Sequence, residues 1–239
     1  MNRTKRLIIA ILIVVLIGLG SIIGGVLFLS ETSGLVSGDK HVLVCAIDES
    51  EPRPGMGACD MAFIVSLDNG TLKDYTAFYP GGITHPTAAE PEEYQKQGAG
   101  AKLLMHDAFY DSDNSKGLQY AKEIVENSKG IKIDNVVAVN SAGLDAVLAA
   151  AGPIEINGSN TTASAIDIIR EEDWNQGVSR GEAVLDIVKA AANKAKDPNA
   201  KSAMINAAMD QFTKGNIIID KEGDFAGLLA SKGIESFFH

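Results

Sequence analysis

Residues 7–29 form a run of 23 positions without a charged side chain, most of them Leu, Ile or Val. A helix rises about 1.5 Å per residue, so a run of this length crosses the roughly 30 Å of a bilayer core. Arg3, Lys5 and Arg6 stand before it, and the first charge after it is Glu31. Basic residues stay on the cytoplasmic side during insertion, so residues 1–6 are expected inside and everything beyond residue 29 outside. A cleaved signal peptide has an apolar stretch of only about 7–15 residues, so an uncleaved, single-pass signal anchor is the expectation. Gly20 and Gly24 have the small-xxx-small spacing that lets membrane helices approach, although glycines facing lipid are the plainer reading.

Beyond the run, Thr32 to Lys40 is rich in Ser and Gly, so residues 30–40 read as a stalk and residues 41–239 as one domain. His41 to Ile47 is a short β-branched run suited to a buried strand. Met61 to Leu67 and Thr71 to Phe78 flank Asp68-Asn69-Gly70, a hairpin signal because Asn and Gly tolerate positive φ. Tyr79 to Thr87, with Pro80-Gly81-Gly82 and Pro86, is expected to be loop. The spacing of Ala101, Leu104, Met105, Ala108 and Phe109 predicts a helix, as does that of Leu118, Ala121, Ile124 and Val125. Asn135 to Asn140 reads as a buried strand, followed by a helix 142–151 capped by Ser141 and stopped at Gly152-Pro153. Ile154–Ile156 and Ile217–Ile219 read as strands, and residues 162–170, 180–194, 201–212 and 225–232 as helices. The interleaving predicts a layered α/β domain whose sheet is at least partly antiparallel, given the hairpin.

The chain carries a net charge of −10. Its first 30 residues hold three basic and no acidic side chains, so the remainder carries −13, which excludes nucleic acid as a partner. Cys45 and Cys59 are the two cysteines; on an oxidising exterior they are a candidate disulfide, with two buried thiols as the alternative. Asn69, Asn157 and Asn160 begin sequons and are candidate glycosylation sites.

No nucleophile elbow, P-loop, zinc-protease or dinucleotide motif is present. His41, His85, His106 and His239 have no ligand spacing and read as surface residues rather than metal ligands. Asp111 to Ser115 starts like a calcium loop but lacks its glycine and terminal glutamate, so it reads as a helix-capping turn. Charged residues do gather around the first strands: Asp48 and Glu49 end strand one, Arg53 follows, and Asp60 precedes strand two. Carboxylates at strand ends hold hard cations, and an adjacent Arg clamps phosphate. Ordinary loop solubility is the plainer alternative.

The segments Glu49 to Gly57 (ESEPRPGMG), Ser66 to Gly70 (SLDNG) and Gly152 to Gly158 (GPIEING) resemble the pattern of domain of unknown function family 4012. More distantly, Val42–Asp48, Cys59–Pro80, Ile131–Asn157 and Arg170–Leu185 resemble the LytR-CpsA-Psr family of membrane-anchored, extracellular phosphotransferases, which move polyprenyl-pyrophosphate-linked glycopolymers onto cell walls. That resemblance implies the α/β/α form with a mixed sheet, catalytic roles for Asp48, Asp60 and Arg180, phosphate binding by Arg53 and Arg170, and Mg²⁺ held by Asp48 and Asp60. The chain departs from it at Ala58-Cys59-Asp60, which lacks the family's Arg, and at Pro80-Gly81-Gly82, which lacks its Arg and Asp. The expected function is an extracellular cell-envelope domain binding or transferring a polyprenyl-linked glycan. The alternative is a non-catalytic adaptor for an envelope protein.

Overall fold

A computed structural model describes residues 34–51, 53–156, 159–161, 187, 190, 191, 193, 194 and 197–224. The expected anchor, residues 7–29, lies outside them; among the described residues no helix is long and apolar enough to cross a membrane.

Three long strands, β1 (Asp39–Asp48), β2 (Ala58–Asp68) and β3 (Thr71–Phe78), pair antiparallel in sequence order. The turn between β2 and β3 is the Asn-Gly pair, with φ of 48° at Asn69 and 73° at Gly70. Asn69 also accepts from the Gly38 N–H through its side chain at 2.9 Å, while its own N–H donates to the Gly38 carbonyl. The hairpin tip thereby locks the chain entering β1.

From β3 the chain passes through β4 (Thr84–Ala89), the short helix α1 (Glu92–Lys96), β5 (Lys102–Leu104) and a 3₁₀ turn (Met105–Asp107). Helix α2 (Asn114–Lys129) follows, and β6 (Asn135–Asn140) then returns parallel to β1. Helix α3 (Ser141–Ala151), the pair β7 (Ile154–Ile156) and β8 (Ser159–Thr161), helix α4 (Pro198–Thr213) and β9 (Ile217–Ile219) complete the described elements. The main sheet runs β3-β2-β1-β6-β9, with β9 antiparallel to β6.

Strand side chains alternate between two faces, and both are covered. Leu43, Cys45, Ala62, Ile64, Val136 and Ala138 pack against α2 through Leu118, Ala121, Ile124 and Val125. Val42, Val44, Phe63, Val65, Val137 and Val139 pack against α3 and α4 through Val147, Leu148, Met204 and Ala208. This is the expected α/β/α layering with a mixed sheet.

Four expectations fail locally. The Tyr79–Thr87 loop ends early, because β4 begins at Thr84 and pairs with β5. Pro86 is tolerated there because His85 does part of the strand's bonding: its Nδ1 accepts from the Thr87 and Ala88 N–H groups, and its Nε2 meets Glu123 at 2.7 Å. His85 is buried, not on the surface. The helix expected over 101–109 is instead β5 and the 3₁₀ turn, since Leu103 and Met105 are buried at strand spacing and only Ala108 and Phe109 resume a helix-like step. Ser141 opens α3 but does not cap it; the Asn140 side chain accepts from the Gly143 N–H at 2.8 Å. Asp113 caps α2, as expected of the turn before it.

Cys45 and Cys59 are two buried free thiols and not a disulfide. They lie close enough on one sheet face to hydrogen-bond, and that bond together with burial raises the Cys59 pKa well above its ordinary value. Both thiols therefore act as small core hydrophobes.

Candidate functional site

The sequence places Asp60 at a break in regular pairing. Ala46 opposes Met61 and Ile47 opposes Cys59, so Asp60 is the extra residue of a β-bulge. A bulge re-aims a side chain out of the alternation that would otherwise bury it or expose it fully. The site this creates lies at the carboxyl end of β1, beside the carboxyl end of its parallel neighbour β6. Open α/β sheets take their ligands at such ends.

The loop from Glu49 to Gly57 is fixed from below by close backbone packing. A Cβ on Gly55 would collide with the carbonyl oxygens of Phe109 and Asp111, and one on Gly57 would meet the Asp48 carbonyl. Gly57 has φ of 134°, a conformation other residues rarely adopt. The Met56 N–H donates to the Phe109 carbonyl at 3.1 Å. With its base pinned, the loop sends Glu49 to one helix and holds Arg53 and Glu51 together, the Arg53 Nη2 lying 3.4 Å from Glu51 Oε2.

Glu49 turns to α3. Its carboxylate accepts from the backbone N–H groups of Ser141 at 2.9 Å and Ala142 at 2.8 Å, and from the Ser141 hydroxyl. The positive end of the helix is thus occupied by the chain's own anion.

Arg53 turns to Asp107. Its Nε and Nη2 donate to one Asp107 oxygen at 2.9 and 2.6 Å, its Nη1 donates to the Glu51 carbonyl at 3.1 Å, and its guanidinium covers the Tyr94 ring at 5.2 Å. The Arg53 and Asp107 side chains are only 7% and 6% exposed, so this is a buried ion pair. Burial opposes the Arg53 charge, but the bond and charge of Asp107 prevail and raise its pKa.

Glu51 turns outward to His106. The His106 Nε2 lies 3.6 Å from Glu51 Oε2 and 3.5 Å from Asp60 Oδ1, while its Nδ1 lies 3.3 Å from Asp107 Oδ1. Met105 on one side and Ala108 and Phe109 on the other are buried, which leaves the His106 ring at the surface of the turn. Hydrogen bonds to Asp107 and Asp60 lift the His106 pKa to about 10. Burial would push Asp107 up, but bonds from His106 and Arg53 outweigh it and hold its carboxyl at about 2. Asp107 therefore stabilises the fold above its ordinary value of 3.8 and ceases to do so as pH falls through about 2. His106 stabilises it below its ordinary value of 6.5 and ceases to do so as pH rises through about 10.

Behind this pair lies Glu90, 2% exposed. Its Oε2 accepts from the Leu104 N–H at 2.7 Å, while Oε1 accepts no hydrogen bond. Burial, and then the neighbouring Asp107, raise its pKa to about 7. A carboxyl whose folded pKa exceeds its ordinary 4.5 makes stability fall as pH climbs from about 4.5, with the loss complete above about 7. Glu90→Gln cannot ionise, so its urea midpoint is expected to fall less between pH 5 and 8 than that of the unsubstituted protein. Parallel profiles would show that Glu90 is not the titrating group.

Of the residues singled out in the sequence, the fold brings Arg53 and Asp60 to opposite sides of His106. Asp48 is not in that group: it is 4% exposed, and its Oδ1 accepts from the Ser50 N–H at 2.8 Å, closing a turn at the end of β1. Among the described residues, the carboxylates and imidazole close enough to share a metal ion are Glu51, Asp60 and His106. Of the expected Mg²⁺ pair, Asp60 belongs to this group of three. Arg170, Arg180 and Asn157 lie outside the described residues, and Asn160 stands in β8. Asn69 is exposed, with its amide engaged in the hairpin turn. His106, Asp107, Glu51 and Glu90 were missed as site residues. Leu103, Leu104 and Met105 are all apolar, so no alternation in the sequence marks His106 as facing outward.

The family model described as "Protein of unknown function (DUF4012)" matches residues 37–174. No curated protein matches the chain. Among solved structures, TagV of B. subtilis is 16% identical, with 84% of this chain and 80% of that one covered and a TM-score of 0.55. The protein gbs0355 from Streptococcus agalactiae is 15% identical over 84% of this chain and 75% of that one, with a TM-score of 0.57. A transcriptional regulator from Enterococcus faecalis is 16% identical over 84% and 73%, with a TM-score of 0.51. Identities this low speak to the fold. The chain belongs to the DUF4012 family of proteins of unknown function, and its domain has a LytR-CpsA-Psr-like fold.

Proposed function

We propose that this chain is a membrane-anchored, extracellular LytR-CpsA-Psr-like domain of the cell envelope that binds a polyprenyl-pyrophosphate-linked glycopolymer. The observation that supports it most is the site itself: the family's E-x-R-P segment, Asp60 and His106 converge at the carboxyl end of β1, within a LytR-CpsA-Psr-like fold. The apolar run at 7–29 supplies the anchor, and its basic flank supplies the orientation.

Transfer of the polymer is the finer reading, and the described site gives it little support. The two groups that would take a phosphate, the Arg53 guanidinium and the α3 N-terminus, are each satisfied by the chain's own carboxylates. Phosphate contacts would then fall to Arg170 and Arg180. This favours, as the second reading, a non-catalytic adaptor that binds an envelope protein.

The test uses the full chain in lipid nanodiscs with a labelled polyprenyl-pyrophosphate glycan and Mg²⁺. Retention of the glycan, weakened by Arg180→Ala, is the expected result. No retention and no phosphate release would reject the glycan reading, and a protein partner captured equally by the Asp60→Asn and Arg180→Ala variants would establish the adaptor.

A further inference from the structure

We infer that Glu51, Asp60 and His106 form a binding site for a Zn²⁺-type dication. The inference concerns a site within the domain proposed above to bind a polymer, but it stands on separate observations.

The first is ligand geometry. The donor atoms of the three residues lie within 4.8 Å of one another, and His106 Nε2 is 3.5 and 3.6 Å from its two carboxylate neighbours. A metal with ligand bonds of about 2.0–2.2 Å in a tetrahedron separates its donors by roughly 3.3–3.6 Å. Both histidine–carboxylate separations therefore match the spacing a tetrahedral ion requires, and the third lies within 4.8 Å.

The second is the donor type. Mg²⁺ takes oxygen donors and keeps its waters, whereas an imidazole nitrogen beside two carboxylates suits Zn²⁺. No thiol takes part: both cysteines are buried in the core.

The third is the surroundings of the histidine. A ligating imidazole usually donates its other N–H to a carboxylate, which fixes the ring and strengthens the ligand. His106 Nδ1 lies 3.3 Å from Asp107 Oδ1 and 3.2 Å from Arg53 Nη2, and Asp107 is itself held by two Arg53 bonds under the Tyr94 ring. Such a buried frame exceeds what an exposed ion pair needs.

The fourth is access. Glu51 is 49% exposed and Asp60 25%, so an ion can enter and a coordination position is left for water or for an oxygen of a bound ligand. The site thus has the three-donor, one-open form of a functional rather than a closed structural centre.

The test starts from full-length protein in nanodiscs after treatment with a chelator, without an affinity tag. Titration with Co²⁺ is expected to give visible ligand-field bands that saturate at one equivalent and are displaced by Zn²⁺, but not by a large excess of Mg²⁺. His106→Gln should weaken Co²⁺ binding by more than about tenfold, since losing even an outer-shell partner costs roughly 10–100-fold. Glu51→Gln, at a half-exposed position, keeps the test valid should the His106 variant not fold, and it too should weaken binding. No saturable bands, or bands unchanged in both variants, would overturn the inference. Either outcome leaves glycan retention to be judged by its own assay, because that assay contains no transition metal.

Discussion

Arg53→Ala is expected to destabilise the protein by about 3 kcal/mol, because it removes two of the bonds to the buried Asp107 carboxylate and leaves His106, at 3.3 Å, to hold it. The effect should far exceed that of an exposed pair. Lys73 and Asp39 lie 3.2 Å apart with side chains 59% and 66% exposed, and Lys73→Ala should cost at most about 1 kcal/mol. Urea midpoints of the two variants at pH 7 check this directly. If they coincide, Arg53 and Asp107 are not a coupled buried pair. The double variant Arg53→Met, Asp107→Leu should recover much of the loss, since replacing both charges with apolar groups removes the uncompensated anion.

A second large loss is expected of Phe109→Ala, about 3–5 kcal/mol from lost burial and the cavity left behind. Phe109 is 1% exposed and packs so tightly on α2 that a Cβ added at Gly117 would lie 2.6 Å from its ring. Its carbonyl also receives the Met56 N–H and closes over Gly55. The variant should therefore lose stability and loosen the Glu49–Gly57 loop together. Gly55→Ala provides the contrast: it leaves the core filled and displaces only the loop, at an overpacking cost of about 1–3 kcal/mol. Hydrogen exchange at the Met56 amide distinguishes the cases. If that amide stays protected in both variants, Phe109 and Gly55 are not what holds the loop.

The E-x-R-P segment shows how far a motif carries meaning before the fold is known. Its charges suggest a phosphate and cation site, and three of them do take part in organised contacts. Yet Glu49 caps a helix 92 residues further on, and Arg53 is committed to an aspartate 54 residues away. The glycines read as flexible punctuation in the sequence. In the fold, Gly55 is present because two backbone carbonyls occupy the space a side chain would need.

Asp60 and His106 show the opposite case. Asp60 was legible because an acid stands at the start of a strand, but its orientation depends on a bulge that sequence periodicity does not mark. His106 was dismissed for lack of ligand spacing. Spacing is a local signal, and the residues beside His106 come from the loop after β1 and from β2, brought there by sheet pairing.

The sequence by itself determined the elements whose signals are local: the charge-flanked apolar run, the Asn-Gly hairpin, the β-branched strands at 41–47 and 135–140, and the helix through Leu118, Ala121, Ile124 and Val125 after its capping turn. Each rests on neighbouring residues acting through backbone geometry or solvent transfer. Only the tertiary structure decided the parallel pairing of β1 with β6, the free state of Cys45 and Cys59, and the assembly of Glu51, Asp60 and His106. These depend on long-range contacts and on which charges burial forces together, because a charge inside the fold must find a partner wherever the chain places one.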